Sequence, residues 1–499
     1  MNAKRLLPLL ALLIIVVIAG ILLKRQPAPP QLADETGFER LVPQNVRAES
    51  IRGVDFSLGE QPEQVVRLRR QDTAWVATSY YNAPVQTEKI TVFLTTVSTL
   101  EGELRAEQPE LLTDFQLDEA HALHLRLYTD SLDTPAVHLL AGKGSGRQGF
   151  MRRANATRVY SVNLNVQSEA GLAGNQTEQQ LTAKPWVNLH IQEVPKEQIT
   201  ALAVHTPERT LHFVWQSAPP ATAPAPAQET PPPATPPDTR WELTTPQLPY
   251  AVKQGGLDSL VNTLRTLRAD DIADPANLAT YGLEQPSYRA ILTVQGAAGS
   301  EPRDVPLLVG EAVPEQAGKR YSRLGSEGPI YILPAWAFRR LFPPAKEVLE
   351  LPRLEVQPAD VQRVTWRQAE GAGTLEPHST AAPAGDTAAA KITWQVVEFP
   401  EASVDETAIQ ALFNALTQLS VEDWIDHPAQ PTGLDQPQVE CQVTLRDNRT
   451  LSLALGNSRG SSDAGYYARL LDSPGVFVVP TTAYTALNDA LSQLRAASP

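Results

Sequence analysis

Three sets of residues have the types and spacing to share a site. Tyr321 and Arg323 are followed by Tyr331, Tyr467 and Arg469 by Phe477, and Phe150 and Arg152 by Tyr160. In every set the arginine precedes the closing aromatic by eight residues. Residues i and i+2 of a strand share a face, so a hairpin would bring guanidinium and rings together. Two chemistries fit. One is capture of a peptide, glycan or anionic ligand between a guanidinium and an aromatic face. The other is a cross-strand aromatic–arginine pair that fixes register. A ligand needs only one site, so occurrence in three copies favours a folding role.

Other constellations are weaker. In Gly142-Lys143-Gly144-Ser145-Gly146-Arg147-Gln148-Gly149, the lysine is followed by glycine rather than Ser/Thr, and a strand follows rather than a helix. A phosphate-binding loop needs the opposite in both respects. His121 and His124 are three apart and would point to opposite faces of a strand. Asp270, Asp271 and Asp274 form an acidic run with no contrast of environment to separate their pKa values. The single cysteine, Cys441, sits in a strand-like Val439-Glu440-Cys441-Gln442-Val443 and reads as a small buried hydrophobe. From these residues we expect no catalytic group, no metal and no cofactor, and hence no enzyme.

The elements that position the three sets repeat with them. Trp75, Trp241 and Trp394 each lie in a hairpin-like segment, and an amphipathic helix follows each. The stripes are Ile90, Phe93, Leu94, Val97, Leu100; Leu257, Leu260, Val261, Leu264, Leu267; and Ile409, Leu412, Phe413, Leu416, Leu419. Their i, i+3, i+4, i+7 spacing demands a surface to pack on. Thr87 is expected to cap the first helix, and Asp405 to lie near the start of the third. A short marker comes next: Phe115-Gln116-Leu117, Tyr281-Gly282-Leu283 or Thr432-Gly433-Leu434, its leucine 42, 42 and 40 residues after the tryptophan. Two strands follow, the second ending at Gly142, Gly310 or Gly456, and then the Tyr-x-Arg hairpin. A closing helix is expected at 335–341 and 482–494, and more weakly at 166–181.

The spacing predicts an α+β protein of three modules, 39–190, 191–348 and 349–499, each an antiparallel sheet covered by helices. A Pro-rich insertion, 217–238, and a Gly/Ala-rich one, 370–390, fall at the same hairpin of the second and third modules. Ahead of them, residues 1–5 are basic and 6–23 carry no charge. As a helix the latter would span ~27 Å, against a hydrocarbon core of ~30 Å. Lys24 and Arg25 close the run, and residues 24–38 read as a stalk. We expect an uncleaved signal anchor, a single pass through a bacterial inner membrane and a periplasmic C-terminal body. The 42% hydrophobic and 20% charged composition is globular, and a net charge of -14 argues against a nucleic-acid partner.

Tryptophan, helix, Gly-Leu, a strand ending in glycine, Tyr-x-Arg and Val-Tyr together resemble the bacterial domain of unknown function 4340, over roughly residues 40–495. The first copy departs at Gln116 and Phe150. The resemblance implies a repeated, membrane-anchored body often encoded beside ABC-2 or gliding-motility-like transporter components, and carries no activity. The expected function is therefore a non-enzymatic periplasmic scaffold or accessory subunit of an ABC-type export or envelope complex. The alternative is an extracytoplasmic protein binding glycan, lipid or peptide in clefts between modules.

Overall fold

The computed structural model describes residues 38–59, 64–172, 180–216, 240–296, 300–380, 391–400, 404–460, 464–470 and 473–496. The expected anchor at 6–23, the stalk up to residue 37 and the Pro-rich run 217–238 lie outside them. Among the described residues, no helix is long and apolar enough to cross a membrane.

Alternating apolar residues build three antiparallel sheets. The first contains β1 (Phe38–Arg40), β2 (Gly53–Leu58), β3 (Val65–Gln71), β4 (Ala74–Ala77), β5 (Ala83–Pro84), β6 (Glu101–Ala106), β7 (Leu123–Tyr128), β8 (Val137–Ser145), β9 (Gln148–Arg153) and β10 (Val159–Val162). Its order is β1-β6-β10-β9-β8-β7-β2-β3-β4-β5. The second contains β11 (Ile199–His205), β12 (Thr210–Gln216), β13 (Arg240–Thr245), β14 (Asp271–Ala273), β15 (Tyr288–Val294), β16 (Arg303–Ala312), β17 (Arg320–Leu324) and β18 (Ile330–Leu333). The third contains β19 (Val361–Gln368), β20 (Gly371–Thr380), β21 (Lys391–Val396), β22 (Asp423–Ile425), β23 (Val439–Leu445), β24 (Thr450–Ser458), β25 (Tyr466–Leu470) and β26 (Val476–Val479). Their orders, β13-β12-β11-β15-β16-β17-β18-β14 and β21-β20-β19-β23-β24-β25-β26-β22, are the same path traced twice, and the first sheet follows it with one strand added at each edge. Trp75, Trp241 and Trp394 occupy the equivalent strands β4, β13 and β21.

In every module the helix after the tryptophan strand carries the chain from one edge of the sheet to the other: α1 (Thr87–Ser98), α3 (Gln254–Arg265) and α5 (Glu406–Thr417). The stripes read from sequence are their buried faces. In the first module Phe93 of α1 meets Phe56 of β2 at 5.7 Å and Trp186 at 5.0 Å, which locks helix to sheet. Asp405 caps α5 by accepting from the Thr407 amide at 3.0 Å. Thr87 is not a cap; it is the first helical residue, and Gln86 precedes it. The closing helices α4 (Ala335–Leu341) and α6 (Thr481–Ala496) stand where expected, whereas α2 (Val166–Glu169) is a single turn rather than the helix 166–181. One insertion is also shorter than expected. Gly371–Thr380 is strand β20, paired to β19 on one side and β21 on the other. Its Gly, Ala, Ser and Thr content suggested a loop, but pairing on both edges satisfies its backbone as a strand.

The chain divides into two compact units, Met1–Asn188 and Leu189–Pro499. The first holds the first sheet; the second holds the other two.

Candidate functional site

The marker and the strand glycine turn out to be two halves of one contact. Gln116, Gly282 and Gly433 all take a left-handed backbone, with φ of 55°, 66° and 70°. That bend aims the carbonyl of the preceding residue at the end of the neighbouring strand. Phe115 O accepts from the Lys143 amide at 2.9 Å, Tyr281 O from Glu311 at 2.8 Å and Thr432 O from Asn457 at 2.7 Å. A Cβ built on Gly142, Gly310 or Gly456 would collide with that same carbonyl. Glycine is required there because backbone approaches backbone.

The Tyr-x-Arg pairs join this contact on the sheet face away from α1, α3 and α5. Tyr321 stacks on Tyr281, centroids 3.9 Å apart, and Phe150 meets Phe115 at 4.7 Å. Tyr467 is buried beside Leu434 and Ile425. Arg152 is buried and fully committed. Its Nε donates to Leu117 O at 2.8 Å, one Nη to Ala154 O at 2.9 Å and the other to Glu119 at 2.8 Å. Arg323 is half-buried, and Arg469 is exposed.

The closing aromatics do not join them. Tyr331 is opposite Ser322, Phe477 opposite Ala468 and Tyr160 opposite Met151. Directly opposed residues share a face, so these rings stand on the helix-covered side, away from Arg323, Arg469 and Arg152. The expected three-residue site is thus divided by the sheet. Burial raises the Tyr331 hydroxyl pKa. It also raises that of Tyr160, which donates to Glu39 at 2.5 Å. Guanidinium-on-ring contacts are made instead by Arg320, 5.0 Å from the Tyr288 centroid and 4.6 Å from that of Phe338, and by Arg69, 5.2 Å from that of Tyr128. Nothing in the spacing distinguished Arg320 from its neighbours.

Two further polar clusters are not repeated from module to module. In the first, His124 Nδ1 lies 3.0 Å from His138 Nε2 and 3.3 Å from Arg126, which also donates to Ser57 at 2.8 Å. Arg126 can only donate, so His124 Nδ1 accepts and its proton sits on Nε2, 3.6 Å from Glu119. Burial, then Arg126, holds both imidazoles below the usual range, His138 at about 4. His121 lies outside this cluster, in the turn before β7, 2.6 Å from Asp118.

The second cluster joins the second and third modules. The buried Arg209, in the β11–β12 turn, meets Asp423 of β22 at 2.5 Å and also donates to Pro343 O. Asp423 accepts from the Ala345 amide at 2.7 Å. Glu208 O accepts from the Asp426 and His427 amides, while its carboxylate pairs with Arg459. Neither Arg209 nor Asp423 carries a sequence signal, since they are 214 residues apart. Cys441 is buried in β23, its thiol pushed up to about 12 by desolvation. Asp270 pairs with Lys319 at 2.8 Å, and Asp274 caps the following turn. Among the described residues, no group of three His, Cys, Asp or Glu is arranged to hold a metal.

Residues 75–235, 241–392 and 394–498 each match the family model described as "Domain of unknown function (DUF4340)". The first and third matches open on Trp75 and Trp394, and the second on Trp241. The family's repeat therefore starts after two strands of the second and third sheets and after three of the first and, in the first two matches, runs on into the opening strands of the next. No curated protein and no solved structure matches the chain.

Proposed function

The chain belongs to the DUF4340 family, and from that footing we propose that it is a non-enzymatic scaffold or accessory subunit of an ABC-type export or cell-envelope complex. In this reading residues 6–23 anchor it in a bacterial inner membrane and the three modules stand in the periplasm. One observation carries the proposal: the marker carbonyls and strand glycines common to the modules are consumed by folding, and of the shared arginines Arg152 is too, while Arg469 stays exposed. The marker carbonyls, the strand glycines and Arg152 all have internal partners. Repetition then supplies surface area, and the Arg209–Asp423 junction gives that surface a fixed form across two modules. The ABC-type partner rests on the family resemblance, and the anchor on the uncharged run and its basic flanks.

The test is affinity capture of the full chain from detergent-solubilised membranes after mild cross-linking. The expected result is co-purification of an ABC permease or another component of its complex. Recovery of this chain alone would count against the proposal.

A further inference from the structure

Trp336 is on the wrong side of its helix for a folding role. Helix α4 buries Ala337 and Leu341 and turns Trp336 outward, 54% exposed. Trp75, Trp186, Trp241, Trp366 and Trp424 are all buried. A tryptophan can bury ~150–250 Å² of mostly apolar surface, so half-exposure forgoes much of its contribution to stability. The equivalent helix α6 has Thr482 at this point, counting from Pro334 and Pro480. The indole is therefore not part of the repeated pattern.

It faces an open groove between α4 and α3 with a volume of about 510 Å³. Small-molecule sites span roughly 300–1,000 Å³. Besides Trp336 and Arg340, the lining comes from the outward face of α3: Gly255, Asp258, Ser259, Asn262, Thr263 and Thr266. Its hydrogen-bonding capacity is mixed. The Thr263 and Thr266 hydroxyls donate to the Ser259 and Asn262 carbonyls, both at 2.9 Å, which leaves hydroxyl lone pairs as acceptors. Asn262 Oδ1 accepts from Arg265 at 2.9 Å, leaving its NH₂ group to donate. Asp258 is an acceptor 3.4 Å from Lys196 Nζ, and Arg340 offers a planar fork of donors.

One flat apolar face beside closely spaced donors and acceptors matches a pyranose, which presents C–H bonds on one face and hydroxyls at its rim. We propose that this groove binds a neutral oligosaccharide, one ring stacked on Trp336 and its hydroxyls bonded to Asp258, Asn262 and Arg340. The opposed charges of Asp258 and Arg340 disfavour a phosphorylated ligand. A single indole among polar groups gives no apolar core of the kind on which a protein interface centres. The site requires neither the anchor nor an exporter partner.

The test uses the full chain labelled with fluorotryptophan, in a detergent without a sugar headgroup. Maltotriose and the trisaccharide of N-acetylglucosamine are titrated in, and fluorine NMR follows the Trp336 resonance, identified by its loss in Trp336→Phe. We expect one probe to shift that resonance saturably, with affinity on the order of millimolar or tighter. Trp336→Ala, which lacks that resonance and is followed instead by saturation-transfer NMR on the sugar, should weaken binding about tenfold or more, as loss of an aromatic stack implies. A Cβ on Gly255 would meet nothing within 4 Å, so a side chain has room there, and Gly255→Phe, which adds a ring to the lining, should also block binding. The proposal is overturned if neither sugar moves the resonance. It also fails if folded Trp336→Ala or Gly255→Phe binds as tightly as the parent, or if Trp336 is needed to capture a protein while both sugars are inert.

Discussion

Gly310 and Gln116 sit on opposite sides of the same contact in different copies. At Gly310 a side chain would strike the Tyr281 carbonyl. Gly310→Ala should cost about 1–3 kcal/mol by overpacking. The Glu311 amide, which donates to that carbonyl, should then exchange with solvent roughly 5–30 times faster. At Gln116 the sign reverses. Its φ of 55° strains any residue with a Cβ, so Gln116→Gly should stabilise the first module by about 0.5–1 kcal/mol, once glycine's extra chain entropy is counted. Slower exchange at the Lys143 amide is the readout. An unchanged rate in both variants would mean that the contact is incidental to stability.

Strands β7 and β8 carry a pH dependence of their own. His138 titrates at about 4 in the folded chain against 6.5 as a free side chain, and His124 is lowered as well. A depressed imidazole pKa means that the unfolded chain binds protons which the folded chain refuses. The contribution is complete above pH 6.5 and is lost as pH falls toward 4. Arg126 and Arg152 oppose protonation, while Glu119 favours it. His138→Gln should flatten this dependence, measured as hydrogen exchange across β7 and β8 between these limits. The same slope in the variant would place the effect elsewhere. Sequence did not reveal this pair: His124 was visible beside His121, but His138 joins it only because β7 and β8 are neighbours.

Across the second unit, the decisive feature is the junction. Arg209 is buried and Asp423 partly so, and removing one leaves the other's charge without its partner, a loss of up to about 3–5 kcal/mol in fully buried pairs. Scanning calorimetry should show the second and third modules melting together in the parent chain. Arg209→Ala should split that transition or lower it. A single transition at the parent temperature would show that the backbone bonds from Asp426 and His427 to Glu208 hold the junction without the ion pair.

The periodicity of the chain determined much of the architecture. Helix stripes at i, i+3, i+4, i+7 became the buried faces of α1, α3 and α5, and the recurring order of tryptophan, marker and strand glycine identified equivalent strands. These are local properties, set by 3.6- and 2-residue repeats and by backbone demands at single glycines. Which residues meet across strands was decided by pairing register, and a shift of one residue changes the face. That is why Tyr331, Phe477 and Tyr160 fell opposite Ser322, Ala468 and Met151 rather than beside the arginines. Contacts between distant segments were likewise settled only in three dimensions: Arg209 with Asp423, Arg320 with Tyr288 and Phe338, and Trp336 over the polar face of α3. No local rule links those residues. Only the folded sheets and helices, by closing the distances between them, turn separate side chains into a junction and a groove.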